Sequence, residues 1–190
     1  MLCSTSKEKV RLHSLFFNIQ QIKMKSSNRL TFLNSTKTVT DLNELWQNCF
    51  AGTENLAHMN AHVPVPLTQQ WQLNGFLNSG GGRYKTWIIK RIAENDIIGF
   101  VVHGDFFPGM PNNIGFNIGL KYIHKGYASE TLQSLIEHIR SEGLKETYGH
   151  CFDTNVGSIR AMEKSGFKNQ GPTGKTYGNA HELRFKIEFE

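Results

Sequence analysis

The chain has 190 residues, 38% of them hydrophobic and 19% charged, with 13 phenylalanines; this is the balance of one globular domain with a core of its own, and it excludes wholesale disorder and any need for disulfide or metal staples. No apolar run approaches the roughly 18 residues of a membrane span. The formal charge of +5 sits mostly in residues 1–25, where five basic side chains face only Glu8; the near-neutral remainder argues against nucleic acid as a partner, and residues 1–24 read as a basic N-terminal extension ahead of a domain over 25–190.

In chain order, Arg29–Asn34 is expected as a strand carrying Leu30, Phe32 and Leu33. Leu42, Leu45, Trp46, Cys49 and Phe50 follow at i, i+3, i+4, i+7 and i+8, the apolar stripe of a helix with Thr40 as N-cap. Residues 51–66, with Pro64 and Pro66, read as loop, and Thr68–Leu77 as a second helix that stops at the glycines 80–82. Arg83–Ile92, Ile97–His103 and Ile114–Leu120 are three strands of an antiparallel meander, the first two joined by the turn Glu94–Asp96. Ala128, Leu132, Leu135, Ile136 and Ile139 then mark the strongest helix, ended by Gly143. A strand over Thr147–Asp153, a helix over Val156–Lys164 closed by Gly166, and a last strand alternating through His181, Leu183, Phe185, Ile187 and Phe189 complete the chain. The order predicts an α/β fold, a mixed sheet with helices on its faces.

Cys3, Cys49 and Cys151 are odd in number and form no CxxC pair, which points to a reducing, cytoplasmic compartment. The N-terminal charges stand where a secretory signal needs its apolar stretch. His58 and His62 have the i, i+4 spacing of a zinc helix, but Met59 replaces the catalytic Glu and Pro64 follows; no metal is expected. Gly80–Arg83 lacks the Lys-Ser/Thr of a phosphate-binding P-loop.

Two segments carry chemistry. His124-Lys125-Gly126-Tyr127-Ala128-Ser129 joins a strand to the N-terminus of the strongest helix, where unpaired backbone N–H groups and the helix dipole attract phosphate; the plain alternative is an ordinary turn. Asn155 and Ser158 open the next helix, where the plain alternative is a cap by Asp153 or Asn155.

Taken together, IGFNIGLKYIHKGYASETLQSLIEHI and NVGSIRAMEKSGF, within residues 114–167, resemble the core of the GNAT N-acetyltransferase superfamily, and most closely its ribosomal-protein-alanine N-acetyltransferase (Rim-type) branch. RLTF and the hairpin ending in IIGF are similar to that branch's first strands. The resemblance implies a mostly antiparallel sheet of about six to seven strands flanked by helices. It implies acetyl-CoA as co-substrate, with its pyrophosphate on the backbone of His124, Lys125, Gly126, Tyr127, Ala128 and Ser129. Its pantetheine arm would lie along Phe116, Ile118 and Leu120, and its thioester near Asn155 and Ser158.

By the same resemblance Ser158 is the expected partner of the departing thiolate, since Met162 stands where many members have a Tyr. Its bland alternative is a first-turn helix residue. Relatives often carry a carboxylate where this chain has Asn112 and Asn113. Asp105, His103, His150 and Glu130 remain as bases; His150, in the strand facing the site, is preferred for its pKa range, with a structural role as the alternative. The expected function is transfer of an acetyl group to a primary amine, a protein N-terminus or a small molecule; the alternative is a degenerate acyl-CoA-binding domain without turnover. The acceptor would be chosen by loops 51–66, 105–113 and 171–180. A membrane is not an expected partner, and a homodimer is left open.

Overall fold

A computed structural model describes residues 24–34, 39–52, 54, 75, 77, 83–106 and 110–190. Of the expected helix at Thr68–Leu77 only Gly75 and Leu77 are described, both helical, and the rest of it, the two-histidine segment, the glycine run and the extension up to residue 23 lie outside the described residues.

Seven strands form one sheet in the order β1-β2-β3-β4-β5-β7-β6. They are β1 (Leu30–Asn34), β2 (Tyr84–Arg91), β3 (Ile97–Gly104), β4 (Asn113–Ile118), β5 (Glu146–Phe152), β6 (Lys168–Tyr177) and β7 (Ala180–Glu188). The helices are α1 (Val39–Cys49), α2 (Tyr127–Ser141) and α3 (Val156–Lys164). Every neighbouring pair is antiparallel except β4 and β5. The α1 helix starts one residue before Thr40, which therefore sits in its first turn rather than capping it.

Period-2 strands between helical layers give two cores. On one face Trp87, Val101 and Phe185 pack with Leu132, Leu135 and Ile139 of α2 and Met162 of α3. On the other, Ile88, Phe100 and Val102 pack with Leu45, Cys49 and Phe50 of α1. Met24, the last residue of the expected extension, is fully buried in the first core.

The strand β6 corrects the expectation of a loop over 171–180. Its register breaks on both sides of Pro172. An edge strand tolerates Pro and Gly because one of its sides needs no ladder. Glu182 of β7 is buried and accepts a hydrogen bond from Thr173 Oγ1 of β6 at 2.8 Å.

Candidate active site

The sheet parts at its centre. β4 and β5 pair only at Asn113–Tyr148 and Ile114–Gly149. Beyond that point β4 runs on with β3 to Ile118, and β5 with β7 to Phe152. The joint is held by the Asn112 carbonyl, which accepts from Tyr148 N at 3.1 Å and Thr147 Oγ1 at 2.5 Å. Ladder alternation turns the backbone groups of Phe116 and Ile118 on one side, and of His150 and Phe152 on the other, toward the opening.

A cavity of about 860 Å³ occupies this gap. One wall is β4 and the turn into α2; the other is β5 and α3. Of the sequence-predicted residues, Phe116, Ile118, Leu120, His124, Gly126, Tyr127, Ala128 and Ser129 line the first wall, and His150, Asn155 and Ser158 the second. Lys125 does not line it: its Nζ donates to the Lys121 carbonyl at 3.1 Å.

The turn is shaped by backbone. His124 has φ of 61° and Gly126 of 83°, left-handed values that bring the chain round into α2. Gly126 is the N-cap and supplies no side-chain hydrogen bond, while its carbonyl accepts from Glu130 N at 3.1 Å. The first-turn N–H groups of α2 thus face the cavity mouth uncapped, the arrangement that fits an anion such as a pyrophosphate. The Tyr127 ring is buried under the Arg29 guanidinium, 4.6 Å from its centroid, so this residue offers the cavity its backbone.

Opposite, Asn155 Oδ1 accepts from Ser158 N at 3.1 Å and caps α3. That cap leaves Ser158 half-buried in the wall with its hydroxyl unengaged by another described residue. Met162 is buried beside it, seated over Gly149, where a Cβ would lie 2.7 Å from Met162 Sδ. The Cys151 thiol also lines the wall; burial pushes its pKa up to about 12, which keeps it protonated and a poor nucleophile.

The other base candidates are committed elsewhere. Burial alone would raise the Glu130 pKa, but hydrogen bonds from Ser27 and Arg29 outweigh it and hold the carboxyl below its ordinary value. Ser27 Oγ and Arg29 Nε donate to it at 2.7 Å each and the Arg29 amide at 3.1 Å, tying the start of the domain to α2. Asp105 Oδ1 accepts from the Asn112 amide at 3.0 Å. His103 is buried away from the cavity, its pKa lowered to about 4 by that burial. Sequence reasoning missed Asn117, Arg160 and Lys164 and held Phe106 only within the loop 105–113; all four line the cavity. Only the strand alternation of 114–118 could have raised Asn117, and a polar strand residue ordinarily reads as solvent-facing.

Comparison with known proteins agrees with this geometry. The sequence profile of the acetyltransferase (GNAT) domain matches residues 29–168. The chain belongs to the GNAT family and is an acetyltransferase, of a family that draws its acetyl group from acetyl-CoA. The uncharacterized N-acetyltransferase YnaD of Bacillus subtilis (strain 168) is 27% identical over 129 residues, 66% of this chain and 75% of that protein. A GNAT-family acetyltransferase from Bacillus anthracis superposes with a TM-score of 0.70 at 22% identity, over 87% of this chain and 97% of that one. RimL, a ribosomal L7/L12 α-N-protein acetyltransferase solved with coenzyme A, superposes at 0.68 and 17% identity, also over 87% and 97%. The Rim-type resemblance read from the sequence is therefore found in the fold as well. No helix among the described residues is long and apolar enough to cross a membrane.

Proposed function

We propose that this chain transfers the acetyl group of acetyl-CoA to the nitrogen of a primary amine. The observation that carries the proposal is the gap between β4 and β5 opening beside the uncapped N-terminus of α2. In this reading the α2 amides take the pyrophosphate, and the backbone of Phe116 and Ile118 pairs with the pantetheine amides as an added strand would. The amine nitrogen forms the new C–N bond as the C–S bond breaks; one proton leaves the nitrogen and the departing thiolate gains one.

Ser158 is the group assigned to the thiolate, because its hydroxyl sits in the cavity wall while its own amide is already capped. His150, on the facing edge of β5, is assigned to the proton leaving the amine. A buried neutral thiol at Cys151 favours direct attack by the amine over a cysteinyl intermediate. The test is a mass-spectrometric screen of small amines and N-terminal peptides with acetyl-CoA, read as acetylated product. Acetyl-CoA binding with no product from any amine would replace this reading with that of a binding domain.

A further inference from the structure

The cavity has a face that the cofactor strip does not use. The β3–β4 register sets Phe100 opposite Asn117 and Val102 opposite Gly115. Phe100 and Val102 belong to the core on the α1 side of the sheet, so Gly115 and Asn117 share that face. All four line the cavity, together with Phe106. Gly115 keeps this end open: a Cβ there would lie 3.0 Å from Val102 Cγ1 and 3.3 Å from Phe106 Cζ. Phe106 is fixed in turn by an edge contact with Tyr84 at 6.2 Å between centroids.

Asn117 Oδ1 is buried and has no hydrogen-bond partner among the described residues. A buried amide oxygen left unmet is costly, and a donor arriving with a ligand relieves it. Charge narrows the ligand. Among the described residues lining the cavity, Glu54 alone is a carboxylate, against Arg160 and Lys164. The connection 50–83 contains no other acidic residue. A polyamine or aminoglycoside would bring several ammonium groups into a wall with little to neutralise them.

We propose that the acceptor is a primary monoamine with an aromatic or aliphatic body, its N–H donated to Asn117 Oδ1 and its body set against Phe100, Val102 and Phe106. This rests on the acetyltransferase reading above and names the substrate class of the same site. Donation to Asn117 leaves the nitrogen lone pair for the thioester carbon, and the aromatic wall shields the reacting atoms from water.

The experiment measures kcat/KM, by thiol release, for phenethylamine and isoamylamine against putrescine and spermidine, with acetyl-CoA affinity measured separately. The monoamines should exceed spermidine by at least tenfold. Asn117→Leu should lower kcat/KM for phenethylamine at least tenfold and leave acetyl-CoA affinity within twofold. Asn117→Asp, which keeps the acceptor and adds charge, should shift the preference toward putrescine; it also serves if the Leu variant fails to fold. Equal or better use of spermidine, or an Asn117→Asp enzyme with unaltered preference, overturns the proposal. Acetyl-CoA binding without turnover of any monoamine overturns the acceptor class and leaves the cofactor site standing. Failure of the wild type to bind acetyl-CoA overturns both.

Discussion

Ser158 and His103 show how differently two polar side chains can be used within one fold. The first opens a helix whose cap, Asn155, relieves its amide and leaves its hydroxyl to the cavity. Replacing it with Ala should keep acetyl-CoA affinity and slow the single-turnover chemical step by the 10²–10⁴-fold typical of proton transfer to a leaving group; a loss under about threefold would instead identify catalysis by positioning. His103 is buried between strand and helix near His138, Lys85, Glu142 and Asp105. Burial moves its pKa from 6.5 to about 4, against the opposing pull of Glu142. The unfolded chain therefore binds the extra proton first as pH falls. Stability from this group is full above pH 6.5 and is lost progressively toward pH 4. His103→Gln should flatten the decline of Tm across that window, whereas an unchanged slope would place the acid sensitivity elsewhere. Neither residue's place was readable from its letter: Ser158 was singled out by a family motif, and the role assigned to it is the proposal made above, while His103 read as one of four candidate bases until burial removed it.

At the scale of elements, α2 is where sequence and structure agree most closely. Its apolar spacing depends only on the helical period, and Leu132, Leu135 and Ile139 are fully buried as that period requires. Its N-terminal turn was legible only in part, because the strand expected to reach Leu120 ends at Ile118 and a 3-10 turn over Leu120–Tyr122 precedes Gly126 and the helix. The sites that hold this turn in place were not legible: Arg29 and Glu130 lie 101 residues apart, and no local rule pairs them. Likewise β6 hid behind Gly171, Pro172 and Gly174, residues that punctuate loops in general and are permitted here by the edge position. The turn yields a direct prediction. Acetyl-CoA at one hundred times its Kd should stabilise the protein by about 2.7 kcal/mol. Gly126→Glu places a negative side chain at the uncapped amides and should abolish that stabilisation. Gly126→Ala carries the same left-handed φ without the charge, so it should melt lower yet retain most of the shift. Equal shifts in the folded Glu variant and wild type would put the anion elsewhere.

For the molecule as a whole, the two cores are unequal partners among the described residues. The larger spans α2, α3 and most of the sheet and reaches back to Met24, ahead of the first strand. Met24→Ala should therefore cost about 2–5 kcal/mol, the range for emptying a buried site of that size, measured by denaturant midpoint. A cost under about 0.5 kcal/mol would restore the boundary at residue 25 that charge and composition suggested. Charge and composition describe what faces solvent, whereas the burial of Met24 depends on packing partners distant in sequence that neither reports.

The parted strands also set a clock for backbone protons. The amides of Phe116 and Ile118 sit inside a strand but face the opening beyond the last β4–β5 pair, so in the free protein they should trade hydrogen for deuterium far faster than the amides of β2 and β3. Saturating acetyl-CoA should slow Phe116 and Ile118 by at least tenfold if the pantetheine completes their ladder. The amides of β5 should change less, because the proposed pantetheine ladder is formed with β4. Uniform slowing of both edges would instead describe a sheet that closes, turning the gap from a fixed slot into a jaw.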